Sequence, residues 1–468
     1  MKRITVFLFA LCASVLTAFC QPQVHVTEGI LQGVEQSGIK MFLGVPFAQP
    51  PVGDLRWRAP QPASHWEGIR KAETFSDDPV QWNIFGDMEQ RGPRQSEDCL
   101  YLNIWTPAQT MDEQLPVFIY FNGGGLLAGS GSEPRYDGRQ MARRGIVSIT
   151  ANYREGYLGY LAHPQLTKES PYQGSGNYGF LDQVAALQWV YDNISQFGGD
   201  PRRITICGES AGSMSVSALL ASPLSRHLIH QAIGSSGTVV GQRILTLREA
   251  EKEGEEIMKK LGKKNIAELR SMTAKQIVKA LPMNNIPHYN IDNHFFTEQP
   301  DNTYSNGRQA HVNLLVGCND IDIPGFDKAT ELWTDVHVKT SGRRVYRYYY
   351  THPRPAMRTS GKIAMLAGGT REMTDEEKAN VAKQNENLPK GAVHSADIEY
   401  SMGTLHTNRV YDWQPDDFVM SDIFLSYFAN FVKTGNPNGL GLTEWLPATK
   451  QHPMRYLHLD VLCEMLDN

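Results

Sequence analysis

Two periodicities divide the chain. Pro116 to Phe121, Ile146 to Ala151, Ile204 to Cys207, Val312 to Val316 and Val345 to Tyr350 are short, nearly continuous apolar runs. Runs of that length without alternation are what strands buried on both faces require. Other stretches follow the helical period. Asn177 to Phe197 predicts a helix with Val184, Leu187, Val190 and Tyr191 on one face. Met214 to Ala221 predicts a second, closed by Pro223, and Leu245 to Leu261 a third whose Glu/Lys run is a solvated surface. Strand, helix, strand order predicts an α/β fold with a large, mostly parallel central sheet flanked by helices. No repeat or low-complexity linker interrupts it.

The first 20 residues follow neither pattern. Lys2 and Arg3 precede a 15-residue apolar run, Ile4 to Ala18. That is short for a membrane span and has the form of an export signal. Cleavage after Cys20 is expected, which makes the mature protein periplasmic or extracellular. Lipoprotein anchoring at Cys20 is the alternative, disfavoured by the bulky Phe19 before it. By length alone the chain suggests about three domains, although α/β enzymes often exceed that prior as one unit, the reading that the family resemblance below implies for residues 21–468. The formal charge, 45 − 50 = −5, becomes 43 − 50 = −7 without Lys2 and Arg3. An acidic balance of this size argues against a dedicated nucleic-acid binder. Cys99, Cys207, Cys318 and Cys463 are widely spaced, with no metal-ligand pattern. The sequon Asn193-Ile194-Ser195 falls inside a predicted helix and is read as chance.

Candidate chemistry sits where a predicted strand meets a predicted helix. Gly208-Glu209-Ser210-Ala211-Gly212 has the pattern Gly-x-Ser-x-Gly, with the run Ile204 to Cys207 before it and the helix after it. A strand–turn–helix of this kind exposes the serine on a tight turn that only glycine neighbours allow. A serine hydroxyl needs a base to become nucleophilic, and its oxyanion needs donors. Gly123-Gly124-Gly125 follows an apolar strand upstream and offers unobstructed N–H groups.

Longer motifs add to this. They include Phe42-Leu43-Gly44-Val45-Pro46-Phe47-Ala48-Gln49-Pro50-Pro51-Val52-Gly53-Asp54-Leu55-Arg56 and Ser96-Glu97-Asp98-Cys99-Leu100-Tyr101-Leu102-Asn103. Gly176-Asn177-Tyr178-Gly179-Phe180-Leu181-Asp182-Gln183, Phe197-Gly198-Gly199-Asp200-Pro201 and Thr434-Gly435-Asn436-Pro437-Asn438-Gly439 complete the set. Together they resemble the type-B carboxylesterase family of α/β-hydrolases, which includes cholinesterases and bacterial p-nitrobenzyl esterases. The resemblance covers nearly all of residues 21–468.

The resemblance implies an α/β-hydrolase fold and a serine esterase acting on small-molecule esters, with no cofactor and no metal. It makes Ser210 the nucleophile and His394, in Gly391-Ala392-Val393-His394-Ser395, the base. The acid would be Asp322, where the family usually has Glu, with Asp320 as the rival. Gly124, Gly125 and Ala211 would supply the oxyanion donors, Ser236 would support the acid, and Glu209 would stand behind the nucleophile. Arg56 and Glu97 match a structural ion pair. Three departures stand out. Asn122 and Leu126 replace His or Tyr and Phe, which is expected to alter the pocket wall. Cys99 lacks its usual upstream partner, so no disulfide is expected there. The stretch from Asp322 to His394 is short for the family, so a reduced cap and a more open site are expected. A catalytically silent scaffold protein and an acyltransferase using the same acyl-enzyme are the competing readings.

Overall fold

The computed structural model describes residues 21–82, 88–281, 288–359, 361–364 and 370–467. The proposed export signal, residues 1–20, lies outside them. An 11-stranded mixed sheet forms the centre. In chain order its strands are β1 (Val34–Gln36), β2 (Ile39–Pro46), β3 (Tyr101–Thr106), β4 (Leu115–Phe121), β5 (Val147–Ala151) and β6 (Gly199–Glu209). They continue with β7 (Gln231–Ser235), β8 (Asn313–Asn319), β9 (Val345–Tyr350), β10 (Tyr456–Leu459) and β11 (Glu464–Leu466). The spatial order is β11-β10-β9-β8-β7-β6-β4-β5-β3-β2-β1. From β10 to β5 every neighbour is parallel, and the strands beyond are antiparallel. The expected parallel sheet is therefore its centre, edged by strands whose short or alternating runs carry little sequence signal.

The continuous apolar runs have a direct cause. Val117, Ile119 and Phe121 point into one core, with Ile149, Ile204 and Ile206. Phe118 and Tyr120, between them, point into a second core with Cys207, Ile233 and Leu315. Side chains alternate faces along a strand, so a strand with a core on each face must be apolar throughout. Helices α1 (Tyr178–Asn193) and α2 (Ala211–Ala221) supply Leu187, Val190, Val216 and Leu219 to the first core. Helix α3 (Pro415–Thr434), not anticipated from the sequence, brings Phe424, Phe428 and Phe431 to the second. On α1, Leu187 and Val190 are buried, but Tyr191 is 39% exposed and does not share their face. Asn193 is buried, and its amide donates to Trp189 O and Thr27 Oγ1, so the sequon asparagine ties the helix end to the N-terminal segment.

The long motifs prove to be joints of the scaffold. Arg56 pairs side-on with both oxygens of Glu97 at 2.5 Å and also donates to Met272 O. Arg154 pairs with Asp182 in the same two-pronged way, at 2.8 and 2.7 Å, fully buried. Asn177 exchanges two hydrogen bonds with the backbone of Asn290. Cys99, Cys207, Cys318 and Cys463 are free thiols. Among the described residues no helix is long and apolar enough to cross a membrane.

Candidate active site

Ser210 stands between the end of β6 and the start of α2, with φ 56° and ψ −123°. That is an unfavourable backbone for a residue with a Cβ, costing roughly 1–3 kcal/mol. Two bonds hold it: Ser210 N donates to Ser235 O at 2.8 Å, and Met214 N donates to Ser210 O at 2.9 Å. The flanking glycines are sterically required. A Cβ on Gly208 would lie 2.3 Å from Gly212 C, and one on Gly212 would lie 2.2 Å from Phe121 O. The turn thus presses against the end of β4, beside the glycine loop that follows it.

His394 Nε2 lies 2.9 Å from Ser210 Oγ, and its Nδ1 lies 2.6 Å from Asp322 Oδ1. In the neutral imidazole, a carboxylate at Nδ1 fixes the proton there and leaves Nε2 to accept from the serine. Ser236 Oγ donates to Asp322 Oδ2 at 2.6 Å, and Asn319 N to the same oxygen at 3.0 Å. Burial alone would raise the Asp322 carboxyl; the bonds from His394, Ser236 and Asn319 outweigh it and hold it below its ordinary value. Asp320 does something else. Its Oδ1 accepts from Ala392 N at 2.6 Å and so moors the loop that carries His394.

Glu209 is buried behind the serine, with Oε1 3.4 Å from His394 Nε2. Burial pushes its carboxyl up to about 7. Burial works against an imidazolium at His394, but Glu209 and Asp322 overcome it and push His394 up to about 9. Ser395 Oγ donates to Glu209 Oε1 at 2.7 Å. Neither Ser395 nor Phe326, whose ring meets His394 edge-to-face at 5.6 Å, was singled out from the sequence. Adjacency of Ser395 to His394 was the one available clue.

The glycine loop abuts Ser210: a Cβ on Gly123 would lie 3.2 Å from Ser210 Cβ. Gly124 (φ 106°) and Gly125 (φ 68°) turn in the left-handed region. Gly124 O takes bonds from Leu127 N and Ala128 N, closing the loop on itself. Ala211 is the first residue of α2, so its N–H has no acceptor within the helix. These are the three donors expected from the sequence. The expectation for Asn122 needs correction. Asn122 is 2% exposed and faces inward, with Nδ2 donating to Gly123 O at 3.0 Å, so it supports the loop from behind rather than lining the pocket. Leu126 is also buried.

Ser210 is half-buried, Gly125 is exposed, and the His394 side chain keeps 24% of its exposure. Among the described residues no group of three or more His, Cys, Asp or Glu could hold a metal ion.

Residues 20–331 and 326–465 match the model of the carboxylesterase family. The fumonisin B1 esterase of Sphingopyxis macrogoltabida is 42% identical over 307 residues, 63% of this chain and 55% of that protein. This chain thus aligns with little more than half the length of that relative. The medium-chain fatty acyl-CoA hydrolase precursor of Anas platyrhynchos is 31% identical over 528 aligned positions, covering 94% of this chain and 89% of that one. A solved PNB esterase superposes with a TM-score of 0.81 at 25% identity, covering 96% of this chain and 97% of its own.

Proposed function

The chain belongs to the carboxylesterase family, and from that premise we propose that it hydrolyses small carboxylic esters through an acyl-enzyme on Ser210. The observation that carries the reading is the unbroken line from Ser210 Oγ to His394 at 2.9 Å and from His394 to Asp322 at 2.6 Å. His394 Nε2 takes the Ser210 proton as Oγ attacks the ester carbonyl. The N–H groups of Gly124, Gly125 and Ala211 receive the oxyanion. His394 then protonates the leaving alcohol, and a water that it activates releases the acid from Ser210. Asp322 keeps its charge throughout, orienting His394 and stabilising the imidazolium. Ser236 holds Asp322, and Glu209 biases the charge on His394.

A half-buried serine beside an exposed Gly125 suits short to medium acyl chains or aryl esters rather than one enclosed substrate. We read residues 21–468 as one hydrolase domain, exported on the strength of Lys2, Arg3 and the run Ile4 to Ala18.

Ser210→Ala tests the reading. Loss of the nucleophile is expected to lower kcat by up to about 10⁶-fold, leaving the residue that oxyanion binding alone provides. A fluorophosphonate should label the folded wild-type protein at Ser210 and not the variant. A folded wild type that resists labelling, or an active Ser210→Ala, would overturn it.

A further inference from the structure

Asn122, turned inward, ends at a buried carboxyl that the reaction scheme above does not use. Asn122 Nδ2 donates to Glu155 Oε1 at 3.1 Å, and Glu155 is 2% exposed. The segment around Glu155 grips the glycine loop at two further points. Tyr153 OH donates to Asn122 O at 2.8 Å, and Gly156 N donates to Leu126 O at 2.7 Å. Residues 153–156 therefore bind both ends of the stretch 122–126, and Gly124 and Gly125 lie between those ends.

We propose that Glu155 is a positioning residue: acting through Asn122, it fixes the glycine loop in the geometry that receives the oxyanion. This rests on the esterase reading of Ser210. The loop needs such support. Gly124 and Gly125 both have positive φ, and glycine pays the largest conformational entropy when it is ordered. Gly125 is exposed, so the restraint must come from the buried side. Asn122 delivers it. One amide nitrogen bonds both Gly123 O and Glu155 Oε1, so turning the asparagine away from Glu155 would also release Gly123. Gly129 packs against the same amide, leaving it no room to swing: a Cβ there would lie 2.0 Å from Asn122 Nδ2.

The chemistry of Glu155 suits a fixed post. Burial pushes its carboxyl well above the usual range, and the bond from Asn122 only partly opposes that. Burial thus favours the neutral acid, which accepts from Asn122 without placing an anion behind the site of the oxyanion. An ionised carboxylate there would oppose the negative charge that builds in the transition state.

The experiment compares Glu155→Gln, Glu155→Leu and Asn122→Ala in the full chain. It reads kcat and KM with a p-nitrophenyl ester, and affinity for an aryl trifluoromethyl ketone, which forms a tetrahedral adduct with the serine. Glu155→Gln keeps an acceptor and no charge, and should stay within about threefold of wild type. Glu155→Leu should lose roughly 10- to 100-fold in kcat with KM little changed, short of the 10²–10³ for deleting a donor outright. Ketone affinity should fall in parallel. If Glu155→Leu does not fold, as judged by thermal unfolding, Asn122→Ala reports on the same link from its other end. Folded variants with unchanged kcat and ketone affinity, beside an inactive Ser210→Ala, would overturn the proposal and leave the esterase reading intact. An active Ser210→Ala would overturn both.

Discussion

Replacing Glu209 with Gln should move the pH dependence of kcat/KM toward lower pH. Glu209 Oε1 lies 3.4 Å from His394 Nε2. Unit charges at that separation attract by about 5 kcal/mol in an effective dielectric of about 20. That is an upper bound, because Glu209 itself titrates near 7 and is not fully charged at neutral pH. An opposite charge this near typically shifts a pKa by about 1–3 units, and about 1–2 is expected here. The sign follows from which form works. His394 must be neutral to take the Ser210 proton, and the Glu209 charge favours the imidazolium. In the wild type the neutral form therefore emerges late, as pH rises toward about 9. Gln removes the charge but keeps an oxygen for Ser395 Oγ, so the imidazolium loses support while the local bonding survives. The assay is kcat/KM for a p-nitrophenyl ester across the neutral and alkaline range, followed at the isosbestic wavelength of the phenol. The midpoint of the rising limb reports free-enzyme His394. A limb that stays in place, or moves to higher pH, would refute the electrostatic reasoning.

Two further outcomes separate neighbours that look alike in the sequence. Asp322→Asn should lower kcat by about 10⁴-fold by releasing the His394 tautomer. Asp320→Asn weakens the tie to Ala392 N, so it should lower thermal stability and change kcat by less than about tenfold; matched kinetics of the two variants would contradict the assignment of the acid. In the glycine loop, Gly124→Ala places a Cβ 1.9 Å from Ala128 O and should cost at least about 100-fold in kcat, whereas Gly125→Ala meets nothing nearer than 3.8 Å, bears only the strain of its positive φ, and should be milder. Steady-state kinetics on both proteins, after a folding check by circular dichroism, decides whether the loop is held as described.

The turn at Ser210 was legible in the sequence because sterics leave no choice there. Gly208 and Gly212 admit no Cβ, so the pattern that reveals the turn is also what the turn demands. The central strands were legible for a similar reason: a core on both faces forces an unbroken apolar run. Asp322 could not be separated from Asp320 by any local rule. The two lie two residues apart in one loop, and only the path of the 391–394 segment decides which one meets the imidazole. Asn122 was misjudged because it replaces a His or Tyr of the family and was read as pocket wall, while its amide bonds Gly123 O and Glu155, 33 positions later. Helix α3 went unnoticed although its aromatic residues fill the second core, and the N-terminal strands are too short to show a period.

The sheet order has a consequence for how the chain folds. Ser210 and His394 are 184 positions apart, and His394 and Asp322 are 72 apart. They meet because β6, β7, β8 and β9 lie side by side and the segments that follow β6, β8 and β9 converge. Parallel neighbours of this kind close long loops before their contacts form, which makes them slow to assemble. No fragment ending before residue 394 can hold the pair. On the proposed function, activity at Ser210 therefore needs the nearly complete chain, and its onset during refolding should follow the docking of the 391–394 segment beside Asp322.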